Sequence, residues 1–279
     1  MIMRKTASGR CALSAINSII LPIIIGSLML AGTVSADISQ GFNPNSTTKI
    51  VLCIYDSDGN TISGSEMSQL TNGELYLTGP DNLPHYAIYD PFETLPTFRV
   101  IPGRSYKIHF LWEVPEFGKI MLLADNEGNG YTIENEGEQI LLNLNYETAK
   151  SKVAWLEADY QQYNNQGIKV SESILDGLNL SKQHLIAAEN YLSQTPSPDI
   201  PNAISQLNEV LKYALSAHEQ LYLDKANVDI EKYRKGNVTI NVVDQSGQPL
   251  SDVAISYSQT SHDFIFSATL DQNFQFPKD

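Results

Sequence analysis

The stretch Gln139-Ile140-Leu141-Leu142-Asn143-Leu144-Asn145-Tyr146, followed by Glu147-Thr148-Ala149-Lys150-Ser151-Lys152-Val153-Ala154-Trp155-Leu156, marks a change in the character of the chain. Before it lie short apolar runs separated by turn residues. From Glu147 onward apolar side chains recur every three or four positions, and Val153, Leu156 and Tyr160 fall on one helix face. A β-rich region therefore gives way to a helical one, and the expected fold class is α+β and multidomain.

Working back from Tyr146, seven runs read as strands: Lys49–Tyr55, Glu74–Leu77, His85–Tyr89, Thr97–Ile101, Ser105–Trp112, Lys119–Ala124 and Gln139–Leu144. Turn clusters such as Asp56-Ser57-Asp58-Gly59-Asn60 and Pro102-Gly103 punctuate them. Seven short runs with frequent turns predict an antiparallel β-sandwich over 37–146.

Working forward, Asn164-Asn165-Gln166-Gly167 breaks the first helix. A second is expected from Ser171 to Gln194, with Ile174, Leu178, Leu185, Ala188 and Leu192 inward. Thr195-Pro196-Ser197-Pro198 stops it, since proline removes a donor and restricts the residue before it. A third helix, opening at Asp199 or Pro201, runs to about Arg234 with a stripe of Ile204, Leu207, Leu211, Leu215, Leu221, Leu223, Ile230 and Tyr233. The stripes predict an antiparallel helical hairpin or three-helix layer over 147–235. β character returns over 236–279, where Val243-Asp244-x-x-Gly247 echoes Tyr55-Asp56-x-x-Gly59 as a shared hairpin device.

Residues 1–36 read as a signal peptide: Arg4, Lys5 and Arg10, then an apolar run from Ile19 to Leu30, then Val34-Ser35-Ala36. The expected localisation is secreted. The alternative is an N-terminal membrane anchor, for which Ala12–Ala36 is only just long enough. With those three basic residues gone, 15 of the 18 Lys and Arg face all 32 Asp and Glu, a formal charge of −17. Such a surface repels phosphate backbones and anionic lipid, so neither nucleic acid nor, after cleavage, a membrane is an expected partner. Cleavage also leaves Cys53 as the only cysteine, without an intrachain partner, and its apolar run makes it a small buried hydrophobe.

Ile230-Glu231-Lys232-Tyr233-Arg234-Lys235-Gly236, the turn Asp244-Gln245-Ser246-Gly247-Gln248-Pro249-Leu250, and Gln259-Thr260-Ser261-His262-Asp263-Phe264-Ile265-Phe266 resemble the lead-in to glycoside hydrolase family 10, the xylanase-like enzymes. Leu111-Trp112-Glu113-Val114-Pro115, Ala124-Asp125-Asn126-Glu127-Gly128 and Ala217-His218-Glu219 are similar to the front region of large secreted members. The resemblance implies that 236–279 is a β-hairpin unit with the first strand of an incomplete (β/α)₈ barrel. Ser267 departs from the family's glycine after the second Phe, and the two catalytic glutamates would lie on later strands. Retaining glycosidases need two carboxyls about 5–5.5 Å apart, so no catalytic residue is carried over. Asn208-Glu209, similar to the family's acid/base pair, falls in the third helix and is read as coincidence. The implied function is a non-catalytic accessory region, with polysaccharide or a glycosidase barrel as partner. The alternative is an extracellular structural or adhesion module, a sandwich on a helical stalk. Enzyme activity would need barrel sequence beyond Asp279.

Two constellations supply candidate site residues. Trp112, Tyr131 and Tyr89 are candidates for a sugar-stacking platform, against the plainer reading that sandwich aromatics are core. Asp125, Glu127, Asn129 and Glu136 have the 1, 3, 5 and 12 spacing of a calcium loop, against the plainer reading of a hairpin turn. No cofactor is expected otherwise. The histidines show no zinc spacing, and the nucleotide and hydrolase motifs are absent.

Overall fold

A computed structural model describes residues 47–85, 87–233, 235–236, 239–256 and 258. The signal segment and Gln259–Phe266 lie outside the described residues. The architecture is α+β, with eight strands in two sheets and four helices among the described residues. They fall into two compact units that divide between Lys232 and Tyr233.

In the first unit, one sheet has the order β3-β4-β1-β8, from β3 (Ile88–Asp90), β4 (Thr97–Arg99), β1 (Lys49–Cys53) and β8 (Gln139–Asn143). The other runs β2-β5-β6, from β2 (Leu75–Thr78), β5 (Ser105–Val114) and β6 (Gly118–Ala124), and β7 (Tyr131–Thr132) pairs the start of β5. Each of the seven expected runs overlaps a strand, and β7 lies outside all of them. The expectation of purely antiparallel pairing is corrected at one place: β1 and β8 are parallel, with Lys49 opposite Gln139 and Cys53 opposite Asn143. Parallel neighbours need a long connection, and here every other strand lies between the two.

β8 passes into α2 (Leu144–Asn165) without a loop. The Asn143 side chain accepts the Tyr146 N–H at 3.2 Å, satisfying one of the free donors at the helix start. Asn145 then grips the end of β1: its Oδ1 accepts the Tyr55 N–H at 2.9 Å, and its Nδ2 donates to the Tyr55 carbonyl at 3.1 Å. Gly167, at φ +72°, follows the α2 C-terminus, and α3 (Glu172–Leu192) and α4 (Ile200–Tyr233) complete the helices. A short helix, α1 (Gly64–Leu70), was not expected; Ser63 and Glu66 cap it reciprocally and Met67 is fully buried.

One contiguous core runs from Ile50 and Leu52 of β1 and Phe110 of β5 to Leu144 and Leu156 of α2 and Ile204, Leu207 and Leu221 of α4. It crosses residue 146 without a break. The α4 stripe is buried only as far as Leu221; Leu223, Ile230 and Tyr233, expected inward, are about half exposed or more. Cys53 is fully buried, and it is disulfide-bonded in the full-length chain. The expectation of a cysteine without an intrachain partner therefore belongs only to the cleaved chain.

In the second unit, the Asp244 turn closes as expected: Asp244 N–H donates to the Gln248 carbonyl at 2.8 Å, and Gly247 N–H to the Asp244 carbonyl at 3.0 Å. The Asp56 turn of the first unit makes the equivalent pair, with Asn60 at 3.0 Å and Gly59 at 3.1 Å. Gly59 and Gly247 sit at φ +81° and +83°, so each turn needs its glycine. The strands expected around the Asp244 turn reduce, among the described residues, to one bridge between Val243 and Pro249. Ile240, Val243, Leu250, Val253 and Ile255 are each about half exposed, and a hairpin without a covered face is marginal.

Candidate functional site

Thr148, Ser151, Lys152 and Trp155 are spaced i, i+3, i+4 and i+7, so α2 presents them on one face. With Met121, Leu122 and Leu123 of β6 and Leu215 of α4 they line a cavity of ≈ 140 Å³. Met121 and Trp155, each 42% exposed, bring its lining to solvent.

Asp125, at the end of β6, sets the geometry of this wall. Its N–H donates to Ser151 Oγ at 3.0 Å, and its Oδ2 accepts from Trp155 Nε1 at 2.8 Å, which orients the indole. Two buried oxygens beside these contacts, Asp125 Oδ1 and Thr148 Oγ1, have no hydrogen-bond partner. Buried polar atoms of a folded protein are nearly always satisfied, so these two oxygens are the candidates here for pairing with a ligand group.

Lys152 lies deeper. Its ammonium donates to His218 Nδ1 at 2.8 Å, and His218 Nε2 donates to Asp159 Oδ2 at 2.8 Å. Because an ammonium has no acceptor, Nδ1 must carry the lone pair, which makes His218 neutral with its proton on Nε2. Tyr222 stacks on His218 at 4.6 Å and donates its hydroxyl to Asp159 at 3.1 Å. Burial holds the His218 pKa below its ordinary value, with the Lys152 charge adding to the effect and Asp159 opposing it. Burial likewise lowers Lys152 to about 8, against the pull of Asp159.

That depression has a measurable sign. Between about pH 8 and the ordinary lysine pKa, the unfolded chain keeps a proton that the folded chain has lost, so stability rises with pH across that window. The folded state carries its penalty below pH 8. From pH 7 to 9.5 the native protein should gain about 1–2 kcal/mol relative to Lys152→Met, after discounting for partial exposure. Urea unfolding of both proteins at the two pH values measures it, and parallel pH curves would show that Lys152 is not desolvated.

The residues anticipated for sugar stacking are not brought together. Tyr131 is buried, and its hydroxyl donates to Glu147 Oε2 at 2.8 Å. Trp112 packs edge-on to Phe110 and lines a smaller void of ≈ 20 Å³ with Leu207 and Asn208. Tyr131 pairs with Tyr106, six residues from Trp112 and so roughly 20 Å away along β5. Tyr89 belongs to the other sheet, packs on Phe98, and donates to the Gly64 carbonyl at 2.6 Å.

Nor do the four calcium candidates converge. Asp125 is turned to Trp155, Glu127 pairs with Lys150 at 3.0 Å, and the Asn129 side chain donates to the Asn126 carbonyl at 3.2 Å. Glu136 is exposed. The loop closes as a turn, with the Gly128 and Gly130 N–H groups both donating to the Asp125 carbonyl. Among the described residues, no three His, Cys, Asp or Glu side chains are placed to hold a metal ion. Asn208-Glu209 lies within α4, as expected. No described helix is long and apolar enough to cross a membrane.

The α2 wall was missed in the sequence, although its polar residues repeat at helical spacing there. The Lys152–His218–Asp159 chain left no local signal, because its members lie 66 and 59 residues apart. No family model, curated protein or solved structure matches the chain.

Proposed function

We propose that this is an exported, non-catalytic accessory region of a xylanase-like glycoside hydrolase that binds polysaccharide through the cavity between β6 and α2. In this reading the two sheets are a carbohydrate-binding-like sandwich of a multidomain chain, the helices are a supporting layer, and residues 236–279 lead into a barrel. The observation that carries the binding role is the cavity itself: a half-exposed indole, held in orientation by Asp125, stands beside the unpartnered Thr148 hydroxyl. An aromatic face for the apolar side of a sugar ring, with hydroxyl donors beside it, is what a saccharide site needs.

Calorimetric titration with xylan-, cellulose- and mannan-derived oligosaccharides tests this. Trp155→Ala should weaken binding about tenfold or more, and Trp155→Phe, which keeps a ring but not the Nε1 donor, should retain most of it. Failure of every oligosaccharide to bind removes the role.

A second reading, the structural or adhesion module, is favoured by the apolar side chains exposed on the helices: Ile186 of α3, and Tyr222, Leu223 and Ile230 of α4. Concentration-dependent association of the same samples in sedimentation, without saccharide binding, would select it.

A further inference from the structure

The lining of the β6–α2 cavity is one-sided in its polarity. Its polar residues are Thr148, Ser151 and Lys152; its other residues are Met121, Leu122, Leu123, Leu215 and Trp155. Ser151 Oγ already accepts the Asp125 N–H, which leaves its own hydrogen to donate. Thr148 Oγ1, fully enclosed, has no partner at all. Lys152 spends one N–H on His218 and keeps two. No carboxylate lines the cavity among the described residues, in a chain with 32 acidic residues against 18 Lys and Arg. The lining therefore offers two hydroxyl donors and a cation, and the nearest anion is the buried Asp125 carboxylate, turned to the Trp155 indole. A ligand that satisfies this set must bring acceptors and negative charge. Cavities of about 150 Å³ hold a single six-membered ring, the scale of the ≈ 140 Å³ here.

Resting on the saccharide reading above, we infer that the cavity takes a sugar unit bearing a carboxylate, a uronic acid, with the Lys152 ammonium and the Thr148 and Ser151 hydroxyls on its charged end and Trp155 against its ring. Such a ligand pairs the Thr148 hydroxyl and adds a carboxylate to Asp159 as counter-charge for Lys152. The overall charge of the chain works against anions at long range, so recognition depends on contact at short distance rather than on steering. His218 faces Lys152 from α4, with Tyr222 stacked on the imidazole and Asp159 behind it on α2, while β6 lines the cavity with apolar groups and the Asp125 carboxylate follows it beside Ser151 and Trp155. His218 is neutral, and Asp159 and Asp125 each accept from neighbouring side chains, so the change in charge at the cavity wall between pH 7 and 9.5 follows Lys152. The lowered Lys152 pKa places the loss of that charge within reach of mildly alkaline buffer.

The test is calorimetric titration of the full chain with glucuronate, glucose and acetate, at pH 7 and pH 9.5. Glucuronate should bind about 10- to 100-fold more tightly than either of the others at pH 7, the range conferred by charge-assisted hydrogen bonds at a partly desolvated site. Its advantage over glucose should shrink at least tenfold at pH 9.5, and should vanish in Lys152→Met at pH 7. The alkaline measurement on the native chain needs no variant to fold. Glucose binding as tightly as glucuronate would overturn the inference and leave the saccharide reading standing. Acetate as tight as glucuronate would show a bare carboxylate site and overturn the sugar assignment. Binding of none of the three would overturn the inference, and it falls with the saccharide role if the oligosaccharides also fail.

Discussion

Replacing Leu207 with alanine should cost about 3–5 kcal/mol and melt the sheets and the helices in one transition. Leu207 is 2% exposed on α4. It borders the ≈ 20 Å³ void together with Ile54 just after β1, Phe110 and Trp112 of β5, Leu122 of β6 and Leu144 of α2. Truncation enlarges an existing void whose walls belong to β5 and β6, to the segment just after β1 and to two helices. Little collapse is available, so the cost belongs at the upper end of the range for buried leucine. Far-ultraviolet circular dichroism together with calorimetry reads the result. A single shifted transition means the β region and the helices unfold as one unit. Two transitions, with the β signal holding its native midpoint, would mean two independent domains meeting near residue 146.

Gly177→Leu should be comparably damaging, and Gly177→Ala should not. Gly177 lies inside α3, where glycine is about 1 kcal/mol worse than alanine. A Cβ placed there would stand 2.8 Å from the Ala217 Cβ and 3.4 Å from the Tyr213 carbonyl of α4. The two helices therefore pass as closely as small residues allow. Alanine gains helix propensity but its Cβ can be fitted only by moving the Ala217 Cβ with the α4 backbone, so Gly177→Ala costs about 1 kcal/mol, well short of leucine. Leucine must push α4 away, at about 3 kcal/mol or more. Urea midpoints of the two variants measure the difference, and similar midpoints would show that this crossing tolerates bulk.

Much of the fold was legible because apolar spacing reports which face of an element is covered. The helix expected over Ser171–Gln194 is α3 at Glu172–Leu192, and the one opening near Asp199 is α4 at Ile200–Tyr233. The misses have separate causes. Period-two alternation carries no direction, so the β1–β8 pairing looked like its neighbours. The α4 stripe continues through Leu223, Ile230 and Tyr233 after the core has ended, because periodicity names a face without naming anything to cover it. α1 is a single short helix between strands, started by the Ser63-x-x-Glu66 capping box and held by one buried side chain, Met67, too little apolar spacing to stand out. The site was the least legible part. Trp112, Tyr131 and Tyr89 stand out in the sequence as aromatics among strands, whereas the half-exposed indole of the proposed site, Trp155, sits on a helix beside core residues. Its orienting partner, Asp125, is 30 residues away.

The grip of Asn145 on Tyr55 joins residues 90 positions apart, and the parallel pairing of β1 with β8 sits beside it. Closing so long a loop is entropically expensive before any contact repays it, and topologies rich in such contacts fold slowly. β1 leaves the ribosome long before β8. Until β8 arrives, one edge of β1 has only incomplete chain beside it. The β1–β8 pairing, the contact of longest span in the sheet, leads straight into α2, so the wall carrying Thr148, Lys152 and Trp155 is anchored to the place where the two ends of the β region meet.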